Sequence, residues 1–229
     1  MSVRHPSSLR RWVLVALAAL ALLVAPFGTG VARAEDGYRF WGFYQVDNGQ
    51  WAFAQGSPGT TDPADGSVQG WRYAVAGMTT SRPPRTGPDF NGICGKVHPV
   101  DGQKRVAVVI DPGTAEDAPR GSAPGTVTAT CVVAPTTATA TQVLQTATTV
   151  RADSAGMICG VAGYPANGCG DPVADINVPA TDPGVVAELT APAGNVAKGT
   201  PVWAWIVVGG IVVVLAGAGI VVARKRRTA

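Results

Sequence analysis

"YRFWGFYQVDNGQWAFA", residues 38–54, decides the fold of this chain. Seven of its residues are aromatic, in two runs that flank Asn48-Gly49. Asn-Gly signals a two-residue hairpin turn, because both residues tolerate the positive φ that such a turn requires. Side chains alternate along a strand, so Trp41, Phe43 and Gln45 share one face, and Phe40, Tyr44 and Val46 the other. Rings on both faces imply a strand pair covered on both sides, or one aromatic face left open. The Pro/Gly loop "QGSPGTTDPADG" (55–66) leads to a third strand, "SVQGWRYAVAG" (67–77), with Trp71 and Tyr73.

Working outward, "SRPPRTGPDFNGICG" (81–95) is irregular with at most one helical turn. "KRVAVVIDPG" (104–113) and "GTVTATCVVA" (125–134) read as strands. In "TTATATQVLQTATTVRAD" (136–153), Val143, Leu144, Ala147 and Val150 recur at helical spacing. The many Thr residues lower helix propensity, but burial of that stripe overrides it. "AGMICGVAG" (155–163) reads as a strand. The middle of the chain is therefore a strand–helix–strand crossover beside an antiparallel aromatic unit. The fold class is α+β, β-rich.

Both ends carry targeting signals. Residues 1–11 are polar with Arg4, Arg10 and Arg11, and residues 12–27 are apolar. In "VARAED", Ala32 and Ala34 supply the small residues of a cleavage site, so a signal peptide covers 1–34 and is cut between Ala34 and Glu35. "WAWIVVGGIVVVLAGAGIVVA", residues 203–223, has no charge. At about 1.5 Å per residue it spans about 30 Å, the hydrocarbon thickness of a bilayer. Trp203 and Trp205 suit an aromatic belt, and the basic tail 224–229 marks the cytoplasmic side. No LPxTG precedes the span, so it reads as a retained single-pass anchor at the cell membrane, with the ectodomain extracellular.

The basic residues at the ends hide an acidic middle. Between residues 35 and 202, ten cations stand against fifteen carboxylates, a net −5. A nucleic-acid binder needs a basic stripe, and none is present. Cys94, Cys131, Cys159 and Cys169 all fall in this exported part, which favours two disulfides among three pairings. The turn-rich "GVAGYPANG" between Cys159 and Cys169 favours that pair, leaving Cys94–Cys131. Residues 35–170 form the domain. Residues 171–202 are rich in Pro, Ala, Gly and Asp with few large side chains, and read as a flexible stalk.

No motif for catalysis, a cofactor or a metal stands out. His98 is the one ectodomain histidine and has no identifiable nucleophile in a triad-like setting. Asp62, Asp65, Glu116 and Asp117 read as solvated turn residues. P-loop, GxGxxG and HExxH patterns are absent. The chain therefore reads as a non-enzyme.

"VTATCVVAPTTATATQVLQTATTV" (127–150) with "MICGVAGYPANGC" (157–169) resembles a β-grasp-type domain of exported actinobacterial proteins, and the C-terminal domain of transcobalamin and intrinsic factor. Cys131, the helix, Cys159, Gly163, Pro165 and Cys169 match in order. The aromatic segment with "GSVQGW" (66–71) matches as well, but precedes this unit, so the resemblance implies a circularly permuted order. The whole chain resembles an uncharacterised actinobacterial family of secreted, C-terminally anchored proteins, often encoded near energy-coupling-factor transporters. The resemblance implies a surface module that captures a corrinoid or other vitamin-like ligand, or serves a transporter. The other reading is an interaction ectodomain that docks another exported protein through an aromatic face. Trp41, Phe43, Trp51 and Trp71 are the candidate ligand surface, with Trp51 and Trp71 expected in the core and Trp41 or Phe43 outside.

Overall fold

The computed structural model describes residues 35–77, 80–176, 179 and 181–196. The expected signal peptide, membrane span and basic tail lie outside the described residues. No helix among the described residues is long and apolar enough to cross a membrane.

The aromatic segment forms β1 (Glu35–Asp47) and β2 (Gln50–Phe53). Asn48 and Gly49 both take positive φ, 49° and 76°, as the turn demands. β3 (Ser67–Ala76) returns antiparallel to β1, setting Trp41 opposite Tyr73 and Phe43 opposite Trp71. A long connection holding α1 (Phe90–Cys94) then leads to β4 (Gln103–Asp111), which runs parallel to β3. β5 (Thr128–Pro135) pairs antiparallel with β4. The result is a β-rich mixed sheet stapled by two disulfides, Cys94–Cys131 and Cys159–Cys169, the expected pairing.

Both sheet faces are covered. On one, Trp41, Phe43, Trp71, Tyr73, Val106 and Val132 pack beneath α2 (Ala140–Ala147) through Val143 and Leu144. Thr139 and Gln142 cap α2 reciprocally, which offsets its poor propensity. On the other face, Val68, Ala107, Val109 and Val133 pack against Cys94 and Val97, held down by the disulfide to β5.

Two expectations are corrected. The strand after α2 does not return to the main sheet. Instead β6 (Val150–Ala152) and β7 (Ile158–Val161) form a separate hairpin, with Ile158 and Val161 roofing the aromatic core. The parallel crossover is β3 to β4. The second correction concerns the segment read as a flexible stalk from residue 171. β8 (Asp171–Ile176) pairs antiparallel with β1 at one edge of the sheet. β9 (Glu188–Leu189) and β10 (Ala193–Gly194) pair parallel with β5 at the opposite edge. Between those edges Val185 and Ala187 pack on the second face. Residues 171–176 and 181–196 thus strap the sheet from edge to edge. The strap's small side chains bury little apolar area, and main-chain hydrogen bonds hold it, such as Glu188 N to Val127 O at 2.8 Å and Asn195 N to Val133 O at 3.0 Å.

Candidate functional site

The carboxyl ends of the parallel strands β3 and β4 bring two charged residues into register, Arg72 opposite Asp111. Both side chains are wholly buried, and Arg72 Nη1 donates to Asp111 Oδ2 at 2.6 Å. Arg72 Nη2 reaches Asp117 Oδ2 at 3.1 Å. Arg85 closes on Asp111 from the other side at 2.7 Å and also donates to the Gly113 carbonyl. Arg82 bridges Asp117 to Asp182, with 2.6 Å to the latter. Three arginines thus meet three aspartates with no net charge. Burying such charges costs more than their attraction returns unless they are closely paired; each aspartate here meets two arginines, and Arg72 Nε alone among these charged groups is left without a partner among the described residues. Burial pushes the Asp111 carboxyl up, but hydrogen bonds from Arg85 and the Arg72 charge outweigh it, and the net shift is downward.

Asp117 is the hub. Its carboxylate accepts from the Val75 and Thr114 amides and the Thr114 hydroxyl, besides two arginines. Asp182, from the strap, ties the crossing segment to this buried charge.

Beside the network opens a cavity of about 550 Å³. Val75, Val173, Ile176, Pro179 and Pro183 give it apolar walls. Arg39, Arg82, Glu116, Asp117, Asp175 and Asp182 supply its charges. Arg39 Nε donates to the Asp117 carbonyl at 2.7 Å, which orients the guanidinium toward the space.

The rings expected to face a ligand lie elsewhere. Trp71 is fully buried, and Trp41 and Phe43 are each 6% exposed. The expected surface position of Trp41 or Phe43 is therefore corrected: α2 and the β6–β7 hairpin cover that face. Phe43 stacks on Trp71 at 4.8 Å, and Trp41 Nε1 donates to Tyr164 O at 3.0 Å. These three rings form the floor of a smaller groove of about 290 Å³, rimmed by Phe53 and Met157. Trp51, expected in the core, is half-buried on the opposite face, where its indole donates to Thr86 O at 2.7 Å. It lies over Gly70, where a Cβ would come within 2.8 Å of the ring.

The loop acids also separate. Asp62 pairs with the buried Lys104, and Asp65 with Arg105, whose hydrogen bond draws its carboxyl below the ordinary range. Glu116 is exposed while its neighbour Asp117 is buried. His98 is exposed. Cys159 and Cys169 lie close to Asp153, but the two thiols are joined, so this trio is not a metal site. The ion network left one trace in the sequence: Arg72 stands between Trp71 and Tyr73, and Asp111 follows the apolar run Val106–Ile110, where a charge demands a buried partner.

Residues 33–174 match the SCO2322-like domain. The chain belongs to this family. No curated protein and no solved structure matches it. Five members of the network, Arg72, Arg82, Arg85, Asp111 and Asp117, and the cavity residue Arg39 fall within the matched SCO2322-like span, whereas Asp182 and the strap from residue 175 onward lie beyond it.

Proposed function

We propose that this SCO2322-like domain is a non-catalytic capture module for a small molecule, exported and held at the outer face of the cell membrane by the apolar segment 203–223. The observation that carries this reading is the cavity of about 550 Å³ beside the ion network. Its volume lies in the range of small-molecule sites, and it combines apolar walls with a few converging charges. It also lies beyond the carboxyl ends of the parallel pair β3–β4. The permuted β-grasp likeness and the secreted actinobacterial setting belong to the same proposal. A helix lying across one face of a mixed sheet and the Cys159–Cys169 loop support the likeness. The separate β6–β7 hairpin is a departure from it. The size of the cavity supports a vitamin-like or smaller ligand over a whole corrinoid, whose macrocycle and side chains would not fit within it. Handing the ligand to a membrane transporter is the role this placement suits.

Native mass spectrometry of the full-length protein, purified in detergent from its own membranes, tests the reading. A bound small molecule should be present and should be lost when Thr181→Trp fills the cavity. An empty protein, or a ligand retained by Thr181→Trp, overturns it.

The second reading, docking of another exported protein, is favoured by the ring-floored groove and its exposed rim residues Phe53 and Met157. A photo-crosslinker at residue 157 that captures a single protein on intact cells supports it, and capture of none opposes it.

A further inference from the structure

We propose that the cavity beside the ion network receives a zwitterion of the amino-acid and short-peptide class, its carboxylate on Arg39 and its ammonium on Asp175 and Glu116. The inference rests on the capture reading above and names the ligand class of that same site.

The charges lining the cavity divide into two sets. Arg82, Asp117 and Asp182 are committed to one another and to Arg72. Arg39, Asp175 and Glu116 form no ion pair among the described residues. The Nε of Arg39 is held by the Asp117 carbonyl at 2.7 Å, and its two Nη groups have no protein acceptor among the described residues. A guanidinium fixed at Nε with a free Nη edge is suited to a planar oxyanion, a carboxylate above all.

Asp175 lies on the strap with a φ of 53°, and its amide is bonded to Asp36 at 3.4 Å. Its carboxylate takes no hydrogen bond among the described residues. Glu116 is exposed at the cavity.

A simple anion entering this space would meet the unpaired Asp175 carboxylate and that of Glu116, which Thr114 and its own amide hold in the charged form. A simple cation would meet Arg39. A ligand carrying both charges satisfies all three groups, and the apolar body between them meets Val75, Val173, Ile176 and Pro183. The volume accommodates a free amino acid or a short peptide.

The test titrates three probes into the isotopically labelled full-length protein, followed by amide shifts of Val75, Val173 and Ile176. The probes are the dipeptide Leu-Leu, its N-acetyl form without the ammonium, and its C-terminal amide without the carboxylate. Leu-Leu should shift all three amides. Each neutralised form should bind roughly 10- to 100-fold more weakly, the effect of losing one hydrogen-bonded charge contact. Arg39→Gln should remove the preference for a free carboxylate. Asp175→Asn, on the exposed strap and outside the ion network, should weaken the preference for a free ammonium and keeps the test open if Arg39→Gln fails to fold. Equal binding of all three probes, or no shift with Leu-Leu, overturns the proposal. Co-purification of an uncharged ligand in the cavity would overturn the zwitterion while leaving capture standing; an empty cavity with no Leu-Leu shift removes both.

Discussion

The aromatic segment 38–53 forms β1 and β2, and the strap, residues 171–176 and 181–196, joins the same sheet along β1 and β5, yet opposite kinds of chemistry hold them. The first brings large rings and buries them: Trp41 and Phe43 sit against Trp71 and Tyr73 in one continuous core. The second brings few large side chains. Val186 is 95% exposed and Leu189 is 62% exposed. Its order comes from short ladders at two sheet edges and from one carboxylate, Asp182, placed on two buried arginines. Composition reports the first kind of holding and not the second. Main-chain pairing requires no particular side chain, and a single Asp in a Pro/Ala/Gly-rich run looks like any other turn residue.

The comparison breaks most sharply at Asp117, where strap and sheet share one charge cluster. Replacing Asp117 by Asn leaves two buried arginines short of a counter-charge and should cost about 3–5 kcal/mol of stability. Chemical denaturation at neutral pH measures it, and a loss under about 1 kcal/mol would show that the network is incidental. Acid should attack the same cluster. The folded pKa of Asp111 lies below its ordinary value, so its contribution is complete above about pH 4 and is lost as pH falls through the depressed folded value. Stability measured against pH should therefore fall below pH 4, and Asp111→Asn should flatten that part of the curve.

A smaller effect is expected from the strap alone. Asp182 is 11% exposed and anchors Arg82 at 2.6 Å. Asp182→Asn should destabilise by about 1.5–3 kcal/mol, the loss of a charged hydrogen-bonded contact. The same substitution should open residues 181–187 to protease while β1 to β5 stay protected, because the rings of the core are held mainly by one another, α2 and the β6–β7 hairpin. If the wild-type strap is cut as fast as an unfolded peptide, the segment is a stalk after all.

Much of the sheet was legible because its strands announce themselves through side chains. Asn48-Gly49 gave the hairpin, alternation gave the faces of Trp41 and Phe43, and the Val143/Leu144 stripe gave α2. The Cys159–Cys169 loop was legible from its turn residues. The candidate site was not. It is assembled from Arg39 on β1, Asp117 in a loop and Asp175 on the strap, which meet through pairings that leave no local pattern. The expected exposure of Trp41 or Phe43 was missed for a related reason. Strand alternation assigns a face, but whether that face is covered depends on α2 and the β6–β7 hairpin, distant in sequence.

The mildest prediction sharpens the comparison within the aromatic segment itself. Phe53 belongs to the same ring-rich run as Phe43, but lies on β2 at the sheet edge and is 43% exposed. Its main aromatic contact is edge-on to Tyr44 at 5.3 Å. About half of its apolar surface already meets solvent, so Phe53→Ala forfeits little burial and should cost about 1 kcal/mol. Trp71→Ala, which empties a fully buried site, should cost about 3–5 kcal/mol. Thermal melts of the two variants, read side by side, separate the contribution of position from that of residue type. Equal losses would mean that the rings act as one cooperative cluster out to the edge. A loss confined to Trp71→Ala would leave Phe53 as surface available to a partner, and photo-crosslinking from the adjacent residue 157 then becomes the direct measure of whether anything occupies it.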